Sequence, residues 1–71
     1  MQKGGFNMAI HIKAARVNAG FTQSEAAKRL GISKNTLVNY ELYRSKPDIE
    51  TAVKMAELYG MSVDNIIFFN G

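Results

Sequence analysis

The chain has 71 residues, a formal net charge of +3 and an apolar content of 46%, enough for one small packed core and too apolar for a disordered chain. It contains no cysteine, which excludes a disulfide framework and a thiolate metal site and is compatible with a reducing cytoplasm, the expected location. No apolar run approaches the ~20 residues of a membrane-spanning helix, and residues 1–10 lack the apolar stretch of a secretory leader.

Charge is unevenly placed. Residues 1–22 hold Lys3, Lys13 and Arg16 and no acid, and residues 23–46 hold Lys28, Arg29, Lys34, Arg44 and Lys46 against Glu25 and Glu41. Residues 47–71 reverse the sign, with Asp48, Glu50, Glu57 and Asp64 against Lys54. Ordinary surface charge fits this pattern, and so does a domain that turns one side to a polyanion.

Residues 1–8 are expected to form a flexible N-terminus, and residues 9–69 a single all-α domain, a compact bundle of five helices. The first helix is expected over 9–18, where Ile12, Ala15 and Ala19 share a face, with Gly20 ending it. The second starts after Thr22, an N-cap residue with Glu25 at the capping-box position, carries Ala26, Ala27 and Leu30 inward and stops at Gly31. Ser33 caps the third, which runs from Lys34 to about Leu42. Pro47 disfavours helical backbone at Lys46, so residues 43–47 read as a loop. Asp48 caps the fourth helix, 49–59, with Ala52, Met55, Ala56 and Tyr59 inward and Gly60 at its end. Ser62 caps a short fifth, 63–68, with Val63 and Ile66 inward. No strand pattern competes, and helices this short hold only by packing on one another.

The second and third helices are joined by Gly31, Ile32 and Ser33. A short glycine-containing turn between two helices is the helix-turn-helix pattern, although a plain helical hairpin shares it. On a wheel at roughly 100° per residue, Thr36, Leu37 and Tyr40 point one way. Lys34, Asn35, Val38 and Leu42 point the other, with Asn39 at the edge. A merely solvated face would favour better helix formers than asparagine and valine. Asparagine spans N6 and N7 of adenine in the major groove, and valine meets a thymine methyl. Incidental surface residues remain the alternative for Asn35 and Asn39.

Taken in order, Ile12-Lys-Ala-Ala-Arg16, Gly20-Phe-Thr-Gln23, Ala26-Ala27, Leu30-Gly31-Ile32-Ser33, Tyr40-Glu41, Pro47, Met55-Ala56 and the run from Gly60 to Ile67 resemble the phage repressor and Cro-type helix-turn-helix domains. The resemblance implies a lambda-repressor-like fold and a sequence-specific regulator of transcription, a repressor of phage or mobile-element type, on double-stranded DNA. It implies that Gln23 touches a phosphate and braces the recognition helix. It further implies that Ser33, Lys34, Asn35 and Thr36 meet bases or phosphates, that Asn39 reads a base one turn on, and that Arg44 and Lys46 contact the DNA backbone. Arg16 and Glu41 match a structural ion pair. Family members commonly carry Asn-Gly directly after the glutamate, where this chain has Leu42-Tyr43. A left-handed cap at Tyr43 is costly without glycine, so the third helix runs longer or the loop takes another shape. Alanines stand at positions 15, 26 and 52 where larger aliphatics are usual, and Phe21, Tyr40, Tyr59, Met55 and Met61 are expected to supply the bulk.

An enzyme is not expected. His11 is the only histidine, and there is no nucleophile with a nearby base, no phosphate-cradling glycine loop and no metal-ligand cluster. No catalytic residue, cofactor, metal or small-molecule ligand is therefore assigned. The rival reading is an antitoxin or protein-interaction module of the same fold. RNA binding would need exposed aromatics for stacking, and Tyr43 is the one candidate near the recognition face. The run Ile66-Ile67-Phe68-Phe69 cannot all face one core from a helix. It leaves Ile67, Phe68 and Phe69 as a homodimer contact, unless the terminus folds back and buries one phenylalanine. A two-fold dimer implies a near-palindromic operator.

Overall fold

Four α-helices carry the backbone from Ile12 to Tyr59 in the computed structural model, which describes residues 9–69. They are α1 (Ile12–Asn18), α2 (Gln23–Leu30), α3 (Lys34–Glu41) and α4 (Ile49–Tyr59). The segment 1–8, expected to be flexible, lies outside the described residues.

Local chemistry sets the helix ends. Thr22 Oγ1 accepts from the Glu25 amide at 3.1 Å while Glu25 Oε1 accepts from the Thr22 amide at 2.8 Å, a complete capping box. Ser33 Oγ accepts from the Thr36 amide at 3.0 Å and starts α3, and Asp48 Oδ1 accepts from the Thr51 amide at 2.9 Å and starts α4. Gly31, at φ 73°, ends α2 in the left-handed region, which glycine enters without a side-chain clash.

The two ends of the fold depart from the expected helices. His11 has extended backbone, with φ −67° and ψ 155°, so α1 begins at Ile12 rather than at residue 9. Ile10–His11 (β1) pairs in parallel with Ile66–Ile67 (β2), Ile10 opposite Ile66 and His11 opposite Ile67. The fifth helix is absent from the described residues. Ser62 does act as a cap, accepting from the Asp64 amide at 3.3 Å, but it starts only a single 3₁₀ turn, Val63–Asn65. The fold is thus mostly helical with a two-stranded sheet, not an all-α five-helix bundle. Extended backbone alternates its side chains: Ile66 is buried and Ile67 is half-buried, while Val63, expected inward, is exposed. Parallel strands need a long crossover, and here the four helices form it.

Ile12 on α1, Leu37 on α3 and Met55 on α4 are fully buried and lie in one cluster with Leu30, Tyr59 and Ile66. Burying a large apolar side chain contributes roughly 1.5–3 kcal/mol, so these residues supply most of the packing energy. Ala15, Ala26, Ala27 and Ala56 fill the remaining core positions. Phe21, Ile32, Tyr40 and Met61 pack against the cluster from its edge and supply the bulk that the alanines lack.

Candidate nucleic-acid interface

The turn of Gly31, Ile32 and Ser33 sets α2 and α3 in a helix-turn-helix. Ile32 is half-buried against the core and Leu37 is fully buried beneath α3. The outer face of α3 is left open. Lys34 and Asn35 are exposed, Val38 and Asn39 are half-buried, and Leu42 comes after them, also exposed. Ser33 and Thr36 stand at the front of the helix, and their hydroxyls bond each other at 2.8 Å. That bond and the Ser33 cap engage both side chains within the protein. Lys34, Asn35 and Asn39 have no side-chain partner among the described residues' hydrogen bonds.

A buried network braces this helix from below. Arg16 Nε donates to Glu41 Oε2 at 2.7 Å and Nη2 donates to Oε1 at 3.2 Å. Arg16 Nη1 donates to the carbonyl of Phe21 at 2.8 Å. Gln23 Nε2 donates to Glu41 Oε1 at 3.0 Å. The carboxylate at the end of α3 therefore ties α1 to the first turn of α2, and Arg16 extends the tie to the loop before α2. The hydrogen bond to Glu41 raises the Arg16 pKa above its ordinary value, with burial opposing. Gln23 is half-buried, and its amide nitrogen serves the brace.

The last turn of α3 has an unusual end. Tyr43 adopts φ 61° and is the one non-glycine residue with positive φ among those described. The Arg44 amide reaches back to the Asn39 carbonyl at 2.9 Å and the Tyr43 amide to that of Tyr40 at 3.1 Å. This is a Schellman motif with tyrosine in the left-handed position. The helix does not run a turn longer. Its end keeps the glycine-type geometry with a costlier residue. The Tyr43 hydroxyl donates to the Ile67 carbonyl at 2.8 Å and so accepts from His11 Nδ1, also at 2.8 Å. The amide of Ile12 completes its set at 3.5 Å. The His11 and Tyr43 rings meet edge to face, 5.6 Å apart. Tyr43 thus faces the strand pair and is not a free stacking platform for bases. The cost of a left-handed Tyr43 is visible in the sequence, but its three partners are not, because they come from residues far along the chain.

Arg44 and Lys46 are both exposed. The Lys46 ammonium lies 5.5 Å from the centre of the Phe69 ring, which draws it toward the C-terminal end of the fold rather than toward α3. Lys46 and Phe69 line an open apolar groove of about 530 Å³ together with Ile49, Val53, Val63 and Phe68. Of the three residues expected in a dimer contact, Ile67 and Phe68 are half-buried, Phe68 packs on the core, and Phe69 is 67% exposed. Ile49, at 82% exposure, is an apolar member of this surface that sequence reasoning did not single out. Its place at the first turn of an amphipathic helix, off the inward stripe, was the available signal.

Two braced helices, a tight turn and an open outer face on the second define a helix-turn-helix module. Residues 12–66 match the helix-turn-helix family, and the chain belongs to it. It is 45% identical over 56 residues to the HTH-type transcriptional regulator ImmR of Bacillus subtilis, covering 79% of this chain and 44% of that protein. It is 34% identical over 56 residues to the cryptic phage CTXphi transcriptional repressor RstR of Vibrio cholerae, covering 79% of this chain and 50% of RstR. An HTH-type transcriptional regulator of Archaeoglobus fulgidus shares 32% identity over 63 residues, covering 89% of each chain. The chain thus spans about half the length of ImmR and RstR. Among the described residues no cluster of three His, Cys, Asp or Glu is placed to hold a metal ion. No helix there is long and apolar enough to cross a membrane.

Proposed function

We propose that this chain binds specific double-stranded DNA as a transcriptional regulator, a repressor of phage or mobile-element type, with α3 lying in the major groove. The observation that carries this reading is the open face of α3. Lys34, Asn35, Val38 and Asn39 present an ammonium, two amides and an apolar tip from a helix whose underside is fixed by Arg16, Glu41 and Gln23. Amides at that spacing suit adenine edges, and a rigid helix holds them in register. Ser33 and Thr36 contribute chiefly by shaping the helix start, where the backbone amides and the positive end of the helix dipole suit a phosphate. Gln23 and Arg44 stand as further backbone contacts, with Lys46 in a supporting place. ImmR is named a transcriptional regulator and RstR a phage transcriptional repressor, which supports a regulator of that kind; the reading puts it to work on DNA in the cytoplasm.

One recognition helix covers only a few base pairs, so the reading includes a homodimer on a near-palindromic operator. The apolar groove of Ile49, Val53, Val63, Phe68 and Phe69 supports it: these side chains form a contiguous apolar surface, and isologous pairing would cover it on both copies. Selection of bound sites from random duplex DNA, followed by gel shift on the winner and on its single half-site, tests both parts. A two-fold site that loses affinity when halved supports the reading. Uniform binding to every duplex overturns it.

A further inference from the structure

Resting on the homodimer reading above, we infer that Tyr43 is a positioning residue that fixes the angle between the recognition helix and the dimer-forming end of the chain. The residue sits where the two meet. Its backbone closes α3 through the bonds to Asn39 and Tyr40, and its hydroxyl is held by Ile67, His11 and Ile12. Ile67 is followed directly by Phe68 and Phe69, which line the apolar groove. A single side chain therefore joins the end of the DNA-facing helix to the strand that leads into the dimer contact.

The geometry is over-determined in a way that plain packing does not require. A phenol has one proton and two acceptor positions. Here the proton goes to the Ile67 carbonyl, and the two acceptor positions face the His11 ring nitrogen and the Ile12 amide. With the phenol proton given to Ile67, His11 Nδ1 is the donor in its contact with the hydroxyl. Meanwhile the backbone bears a conformational cost, since a β-carbon at φ 61° is strained where glycine is not. Glycine at this position would close α3 just as well. What glycine lacks is the hydroxyl that reaches the strands. In a dimer bound to two half-sites, a rotation of α3 against the strand end changes the distance between the two recognition helices. The Tyr43 link resists that rotation, so it sets which half-site spacing is accepted.

The test uses the full chain and two variants, Tyr43→Phe and Tyr43→Gly, against a series of duplexes carrying one half-site or two half-sites at stepped spacings. Tyr43→Phe removes only the hydroxyl, while Tyr43→Gly also removes the ring that packs on the core and on His11 and relieves the backbone. Both variants are expected to bind the single half-site as the parent does. Both are expected to lose about fivefold of the preference for the best spacing over its neighbours, in line with one lost hydrogen-bonded link. Phenylalanine keeps the ring and the strained backbone, glycine removes both, and neither carries the hydroxyl, so a loss of spacing preference shared by the two variants follows the hydroxyl link rather than the packing or the backbone. Amide hydrogen exchange on the free protein provides the second readout, with faster exchange expected at β1 and β2 in both variants. Parent-like spacing preference in Tyr43→Phe, or unchanged exchange in the strands, overturns the inference while leaving the DNA-binding reading intact. A parent chain with no spacing preference overturns the homodimer reading and this inference together.

Discussion

Arg16 and Glu41 meet side-on through two nitrogens and both carboxylate oxygens, at 2.7 and 3.2 Å, with side chains only 8% and 3% exposed. The same carboxylate takes the Gln23 amide, so the pair is the point at which three helices are tied. Glu41→Gln leaves a buried guanidinium without its counter-charge. The expected loss is on the order of 3 kcal/mol or more, a large share of the stability of so small a domain. Urea denaturation measures it. Arg16→Met with Glu41→Leu is expected to recover much of that loss, because the desolvation of both charges then disappears. A Glu41→Gln chain as stable as the parent contradicts the brace.

This brace and the helix-turn-helix are legible in the sequence because their signals are local or carried by a dense motif. Thr22 with Glu25, Gly31, and Ser33 each mark an end within four residues, and the structure uses each as marked. The strand pair is not legible. Two residues have no measurable period, and the partners Ile10 and Ile66 are adjacent in the fold but lie far apart in the sequence. Val63 and Ile66 fit helical spacing as letters, yet the backbone at Ile66–Ile67 is extended, so the expectation of a fifth helix with Val63 inward fails there. At Tyr43 local cost points away from the left-handed region. Three distant hydrogen bonds outweigh that cost, and no local reading weighs them.

Tyr59 carries a hydroxyl that is buried with no hydrogen-bond partner among the described residues. An unsatisfied buried hydroxyl costs roughly 1–3 kcal/mol. Tyr59→Phe is therefore expected to stabilise the fold by about 1 kcal/mol in urea denaturation, with the ring's contact on Phe21, 6.3 Å between centres, kept. Burial first, and the charge of Glu41 second, push the phenol up to about 12, with Arg16 opposing. A folded value above the unfolded one gives a stabilising term that is complete below pH ~10 and is lost as pH rises through about 12. Tyrosinate absorbance is expected to show one late step near that pH, coincident with unfolding, and Tyr59→Phe is expected to remove it.

Acid acts on the helix starts. The backbone amide and then the side chain of Thr22 hold the Glu25 carboxyl below its ordinary pKa, and the side chain and then the backbone amide of Thr51 do the same for Asp48. A depressed folded value gives stability that is present above the ordinary carboxylate range and lost as pH falls through the folded pKa. Melting temperature is expected to fall between neutral pH and about pH 3. Asp48→Asn retains a capping acceptor without a titrating charge, so its acid limb is expected to be shallower than the parent's. An identical limb removes Asp48 from the acid response.

The outer face of α3 separates base reading from charge. Asn35→Ala and Asn39→Ala are each expected to cost roughly 1–3 kcal/mol on the selected site and little on random duplex. Lys34→Ala is expected to weaken both alike and to lower the salt slope by about one. Titrations at several salt concentrations on both duplexes make the distinction. Equal losses on specific and random DNA for both asparagine variants would remove them from base reading and leave α3 a backbone contact.

The apolar groove decides the assembly. Ile49 is 82% exposed and Phe69 67% exposed, and both flank a surface that includes Val53, Val63 and Phe68. A charge placed there opposes isologous pairing twice, once from each copy. Ile49→Asp changes a side chain that is exposed in the single chain, so it is expected to leave the melting temperature nearly unchanged. It is expected to shift sedimentation at high concentration fully to monomer. On DNA it is expected to leave half-site affinity near the parent's while lowering affinity for the paired site by more than tenfold, which corresponds to about 1.4 kcal/mol of lost contact between copies. Phe69→Asp acts from the other edge of the groove and frees Lys46 from the ring it now covers. It is expected to give the same separation of paired and single sites. A parent chain that sediments as a monomer with and without operator, and binds one half-site as tightly as two, rules out the dimer and leaves this surface to another partner.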